Sequence, residues 1–184
     1  MFVRDVMQGL VRTCRTEDSL AEAAQLLWEH DCECAPVVDA TGRLAGMITD
    51  RDVCKAVYAS GHHHGDTTVA EIMERDIATA RPDESLTSVQ MTMRQRGARR
   101  LPVVDDRGQL VGLIGYDDLC RWIVDGGAVL SLHDAATQLV ATIAAIDRVR
   151  AKVGPGPLPP LRAPSSPGPS PAGAPSSTNG IAAG

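Results

Sequence analysis

Apolar residues follow two different periods along the first part of the chain, and together they predict a mixed helix and strand fold. Ser19 and Glu22 form a capping-box pattern that predicts the start of a helix. Two short apolar runs, "APVVD" and "RLAGMIT", follow and predict strands joined by a turn at "ATG". An extended piece near Thr13 precedes this helix, and a second helix is predicted from Thr49. The apolar face of the first helix recurs at helical spacing: Leu20, Ala23, Ala24 and Leu27.

The same pattern occurs twice, because the chain repeats itself at an offset of 66 residues. Positions 6 to 56 contain 15 identities with the shifted copy, whereas chance would supply about three. The motif "PVVD" at Pro36–Asp39, for example, returns at Pro102–Asp105. A unit of this size buries little surface alone, so the two copies should pack together through their sheets. The predicted fold class is α+β, with two β-α-β-β-α repeats.

The pattern divides the chain into five segments: repeat 1 (1–60), a linker (61–68), repeat 2 (69–126), an amphipathic helix (127–152) and a tail (153–184). The linker is polar and bounded by glycines. The tail is mostly Pro, Gly, Ser and Ala, so it buries too little to offset its ordering entropy and is predicted to be disordered. The apolar face predicted for the last helix consists of Leu132, Ala136, Leu139, Ile143 and Ile146.

Composition narrows the class of protein. The net charge of −5 in 184 residues argues against a nucleic-acid surface, which needs clustered cations. The longest late apolar stretch is interrupted by His133 and Asp134, and no secretory segment is evident, so we expect neither a membrane span nor export. Five cysteines without a C-x-x-C pair fit a reduced compartment. The sequence therefore predicts a soluble cytoplasmic protein that binds neither nucleic acid nor membrane.

The paired units, each carrying "PVVD…G.L.G.I…D", resemble the cystathionine-β-synthase (CBS) domain family over roughly Arg4 to Gly126. Two such units form a Bateman module, and short stand-alone bacterial members look similar in length. The resemblance implies a regulatory module without catalytic activity or a cofactor. It also implies that AMP, ADP or ATP binds in the cleft between the copies, that the chain forms a homodimer, and that a separate effector protein reads the ligand.

The stretch "GMITDRD" has a local and a functional interpretation. Thr49 and Asp52 form a capping box for the helix that follows. By the resemblance, Asp52 accepts hydrogen bonds from both ribose hydroxyls, while Thr49 and the free N–H groups face the phosphate. The two interpretations are compatible, because one helix start can be capped and still present an anion site.

The basic pair Arg99 and Arg100, just before the second "LPVVD", also has two interpretations. From the residues alone, the pair can be a solvated basic end that complements a helix dipole. By the resemblance, it binds phosphate in the cleft and completes the site of Asp52. The resemblance further implies that the base packs near four residues: Met47, Ile48, Ala78 and Thr79.

The mirror-related site is predicted to be degenerate. Asp118 matches Asp52, but Gly115 stands where repeat 1 has a threonine. Glu33 and Cys34 match the basic pair, and a carboxylate there would repel phosphate. We therefore predict one competent site per chain.

Other residues leave alternatives open. His62, His63 and His64 are adjacent in the linker, and His30, Cys32 and Cys34 alternate before a strand. Either group can contribute metal ligands, although no complete tetrahedral set is spaced for zinc. A metal- or redox-responsive dimer is thus one alternative, and a structural adaptor acting through the last helix and tail is another. No nucleophile–base constellation or phosphate loop of an enzyme is present in the sequence.

Overall fold

The computed structural model describes residues 1–60, 67–125 and 132–153. The fold is α+β, with two repeats and a C-terminal helix, and repeat 1 has the predicted β-α-β-β-α order. In repeat 2 the first strand, predicted at the corresponding place, is reduced to a single bridge at Ala80. Repeat 1 comprises β1 (Cys14–Arg15), α1 (Leu20–Glu29), β2 (Cys34–Val38), β3 (Leu44–Thr49) and α2 (Asp50–Ser60). Repeat 2 comprises α3 (Val69–Ile72), α4 (Leu86–Arg96), β4 (Arg100–Val104), β5 (Leu110–Gly115) and α5 (Tyr116–Val124), and α6 (Leu132–Val153) follows.

The hairpins of the two repeats pair their strands in the same register. Antiparallel strands β2 and β3 pair Cys34 with Thr49, and the corresponding strands β4 and β5 pair Arg100 with Gly115. Both hairpins shift register at the second valine of "PVVD". The short first strand differs, because β1 pairs with β2 in parallel whereas repeat 2 has only a single bridge from Ala80 at that place.

The segments that lead into the two repeats are exchanged. Val3, in a 3₁₀ helix at the start of the chain, is buried in the core of repeat 2. Val69 and Met73, at the start of repeat 2, are buried in the core of repeat 1. Backbone bridges join Gln8 to Leu113 and Glu74 to Met47 at corresponding positions. Each half of the molecule is therefore completed by chain that belongs, in sequence, to the other repeat.

Helix α6 packs on α4 and α5 and covers the helical face of repeat 2. The predicted apolar position Ala136 is wrong, since Ala136 is exposed and its neighbour Ala135 is buried. Steps of four and three residues give a narrow stripe of the kind found in coiled coils, which selects Ala135. The buried residues of this stripe are Ala135, Leu139, Thr142 and Ile146.

Some predictions fall outside the described residues. These are the middle of the linker at 61–66 and the tail from 154 onward. Within the described ranges, no helix is both long enough and apolar enough to cross a membrane.

Candidate ligand-binding cleft

A cavity of about 720 Å³ lies between the two repeats. Its volume is within the range of about 300–1,000 Å³ that is typical of small-molecule sites. The walls are the ends of β2 and β3, the segment leading into repeat 2, the α4–β4 turn and the last turns of α6. The charged lining residues are five arginines (Arg51, Arg96, Arg99, Arg100, Arg150) and four acids (Glu33, Asp50, Glu74, Asp76). The apolar lining residues include Met47, Ile77, Ala78 and Ala98.

The structure brings together part of the set predicted from the sequence. The residues of that set that line the cavity are Met47, Thr49, Ala78, Arg99 and Arg100. Ile48 is fully buried in the core of repeat 1, and Thr79 is exposed. Strand geometry explains Ile48, because neighbours along a strand point to opposite faces and Met47 and Thr49 already face the cavity.

Asp52 lies beside this cavity rather than in its wall. Its Oδ2 accepts hydrogen bonds from the Thr49 N–H (3.1 Å) and the Thr49 hydroxyl (2.6 Å), so the predicted capping box is formed. Asp52 instead lines an adjoining cavity of about 340 Å³, which shares Glu74 with the larger one. Its side chain remains 22% exposed, next to Lys55 Nζ at 3.9 Å.

The basic pair is held by carboxylates. One Arg100 nitrogen is 2.8 Å from Glu33 Oε2, and another is 3.5 Å from Asp117 Oδ2. Burial lowers the pKa of Arg100, but its bond to Glu33 and the surrounding negative groups outweigh this and raise it overall, so the side chain is always cationic. Arg99 is 3.1 Å from Asp147 Oδ1 on α6.

The second aspartate, Asp118, is enclosed by the chain's own donors. Its side chain is 2% exposed. It accepts hydrogen bonds from the Gly115 N–H (2.8 Å), from Gln8 Nε2 (2.9 Å) and from Arg121 (3.3 Å). The residue matching Gln8 is Glu74, which packs against repeat 1 beside Met47 and has no side-chain N–H to donate. This Gln–Glu difference was visible at the 66-residue offset and was missed in the sequence analysis.

Glu33 and Cys34 lie in the first cavity, opposite Arg100, and were expected at the mirror-related site. The starts of β2 and β4 therefore face the same space. Burial raises the pKa of the Cys34 thiol, and the nearby Arg100 partly opposes this shift. Cys34 is thus an apolar wall of the cleft at neutral pH rather than a thiolate.

In the part of the chain that the structure describes, no group of three His, Cys, Asp or Glu side chains is placed to hold a metal ion, as the metal-binding alternative would require. His62, His63 and His64 lie outside that part. Burial raises the pKa of Cys32, and again Arg100 opposes it.

Thiol labelling should separate the cysteines by exposure. Cys14 is 1% exposed, and burial, with a smaller effect of Asp18, raises its pKa to about 11. Since the thiolate is the nucleophile, roughly one Cys14 in a thousand is reactive at about pH 8. We expect iodoacetamide to modify the exposed Cys54 first and Cys14 only after unfolding, as followed by peptide mass spectrometry. Equal labelling rates for both in native protein would contradict this.

Comparison with known proteins decides the family. The CBS domain family matches residues 3–59 and 69–125, which together cover both repeats. The chain belongs to the CBS domain family. It is 38% identical over 117 residues to the CBS domain-containing protein YhcV of Bacillus subtilis, covering 64% of this chain and 81% of YhcV. It is also 37% identical over 126 residues to a homoserine O-acetyltransferase of Methanohalophilus mahii, but that match spans only 25% of the enzyme.

Two solved structures have folds similar to that of this chain. The CBS domain pair of protein MJ0100, in complex with 5′-methylthioadenosine and S-adenosyl-L-methionine, is 34% identical, with a TM-score of 0.59, and the match covers 69% of this chain and 97% of that chain. Hypoxic Response Protein I, with two coordinated zinc ions, is 30% identical, with a TM-score of 0.60, and the match covers 66% of this chain and 98% of that chain. Both support the tandem CBS architecture of the present chain.

Proposed function

We propose that this CBS pair is a regulatory module that binds one adenine nucleotide, AMP, ADP or ATP, in the cleft between its repeats. The observation that carries the proposal is the cavity itself, because it joins the Thr49 end of repeat 1 to Arg99 and Arg100 of repeat 2. The MJ0100 pair, which holds two adenosine-containing compounds, supports an adenosine-type ligand.

The lining divides into parts suited to the parts of a nucleotide. Met47, Ile77 and Ala78 form an apolar surface on which a base can pack. The start of α2 offers the positive end of a helix dipole, which favours phosphate, and its first N–H groups already donate to Glu33, Asp50 and Thr49. Arg100 adds a planar fork of donors that fits a phosphate group. Asp52, in the adjoining space beyond Glu74, is the acceptor for ribose hydroxyls that extend past the cavity wall.

The enclosure of Asp118 supports the proposal of a single competent site. Its Oδ1 already accepts a bond from Gln8, which a ribose would have to displace, whereas its bond from the Gly115 N–H has a counterpart at Asp52 in the Thr49 N–H. At the other site Glu74 takes the place of Gln8, cannot donate to Asp52, and leaves the Asp52 side chain 22% exposed. The rest of the proposal is that the protein is a cytoplasmic homodimer without catalytic activity. A bound nucleotide favours one arrangement of the repeats, and a separate effector protein recognises it.

Isothermal titration of AMP and ATP into the purified chain tests the site. We expect one nucleotide per chain, and we expect Asp52→Asn to weaken binding about tenfold, because the amide keeps the cap to Thr49 but loses the charge and one acceptor for the ribose. Asp83→Asn, an exposed change of the same charge, is the control. Two equal sites per chain would overturn the asymmetry, and no binding of any nucleotide would overturn the proposal.

A metal-responsive role is a second candidate, because Hypoxic Response Protein I carries two coordinated zinc ions. In this chain Cys32 and Cys34, with His30 nearby in sequence, are the residues to test. Stoichiometric zinc in purified protein, lost in a Cys32→Ser/Cys34→Ser variant, would favour this role. Zinc-free protein that binds AMP would exclude it.

A further inference from the structure

Helix α6 lies outside both stretches that match the CBS family, 3–59 and 69–125, yet it contributes a residue to the wall of the cleft. Arg150, in its last turns, lines the cavity together with the basic pair. Asp147, one turn earlier, binds Arg99 at 3.1 Å. The two residues are three apart on one helix, so both are on the side that meets the cleft.

The contact between α6 and the basic pair is close. Gly97 ends α4 with a positive φ of 64°. A Cβ at Gly97 would lie 2.7 Å from Val149 Cγ1 and 3.7 Å from Arg150 Cγ, so α6 lies directly on the turn that leads to Arg99 and Arg100. A shift of α6 would therefore displace the turn that carries the basic pair.

Arg150 differs from the other cations of the α4–β4 side in its partners. Arg96 is paired with Asp76, Arg99 with Asp147 and Arg100 with Glu33. Arg150 has no ion pair with any residue in the described ranges. A basic residue in the last turn also complements the helix dipole, but Lys152 does this as well and does not line the cavity.

We propose that α6 is part of the ligand site and makes it selective for phosphorylated nucleotides over uncharged adenosine compounds. Arg150 binds the phosphate directly. Asp147 competes with the phosphate for Arg99, so that binding exchanges an Arg–carboxylate contact for an Arg–phosphate contact. This inference rests on the proposed nucleotide site and adds to it a determinant that the two repeats do not contain.

The test compares AMP with 5′-methylthioadenosine, which has no phosphate, by isothermal titration into four proteins: wild type, Arg150→Gln, Asp147→Asn and Arg148→Gln. Arg148 is exposed on the same helix and does not line the cavity, so its variant carries the same charge change without the contact. Glutamine keeps the aliphatic packing of Arg150 on the Gly97 turn. Thermal unfolding of each variant checks that α6 remains docked.

We expect Arg150→Gln to weaken AMP binding about fivefold, the loss of roughly one exposed charge-assisted contact, and Asp147→Asn to strengthen it about threefold. Methylthioadenosine binding should change in neither variant, and Arg148→Gln should match wild type for both ligands. Equal effects of the Arg150 and Arg148 changes, or parallel losses for both ligands, would overturn the inference while leaving the nucleotide site intact. Wild-type protein that binds no nucleotide would overturn both, before any variant is compared.

Discussion

Replacing Gly46 with alanine is expected to destabilise the protein by about 3 kcal/mol, near the upper end for overpacked sites. A Cβ at Gly46 would lie 2.6 Å from the backbone carbonyl oxygen of Glu74 and 3.0 Å from Met73 Sδ. The thioether can move, but the carbonyl cannot, because Glu74 and Met47 exchange two backbone hydrogen bonds of 2.9 and 2.8 Å. Relief of the clash must break this bridge, which holds the leading segment of repeat 2 on repeat 1.

Urea unfolding monitored by circular dichroism measures this effect, and Gly9→Ala is the matched control, because nothing lies within 4 Å of a Cβ there. Gly112 should behave like Gly46, since its added Cβ would lie 2.7 Å from the Gln8 carbonyl oxygen. For a chain of this size, a loss of about 3 kcal/mol corresponds to a fall in Tm of roughly 6–12 °C. A Gly46→Ala protein as stable as Gly9→Ala would mean that the two segments do not cross at this point.

The glycine pair shows what the repeat reveals and what it leaves open. Gly46 and Gly112 coincide at the 66-residue offset, so their equivalence is visible in the sequence. The reason why glycine is needed at these positions is not visible in the sequence, because it depends on the exchange of the leading segments. No local pattern in the sequence says that Val3 is buried by the second copy and Val69 by the first. The α+β class, the element order of repeat 1 and the two strands joined by a turn in each repeat are local properties and were predicted, whereas this exchange is a property of the packed pair.

The residues of the cleft likewise fall into those that the sequence identifies and those that it does not. Thr49 and Arg100 could be assigned to one cavity, since the resemblance relates specific motif positions across the two repeats. Ile48 was expected near the base by the resemblance, but strand alternation places it in the core instead. Arg150 was missed because the periodicity of α6 predicts an apolar face and not where the far end of the helix docks.

Arg100→Ala is expected to weaken AMP binding about a hundredfold, more than any other single change in the cleft. The variant loses a guanidinium group on a side chain that is only 23% exposed, where water screens charges less than at the surface. It also leaves Glu33 and Asp117 without their shared partner, and both carboxylates then repel phosphate. Titration of AMP measures the loss, and Arg107→Ala, an exposed arginine in the β4–β5 turn, is the control.

Replacing Glu33, the ion-pair partner of Arg100, is expected to have the opposite effect on AMP binding. Glu33→Gln removes the carboxylate that holds Arg100 in the ligand-free protein, so AMP binding should strengthen about threefold. In the double variant with Arg100→Ala, the same Glu33 change should recover part of the lost affinity, since it removes a repulsive charge. If Glu33→Gln weakens AMP binding instead, Glu33 contacts the ligand directly and Arg100 is a structural ion pair. If both single changes leave binding unaltered, the phosphate does not reach the β2–β4 end of the cleft.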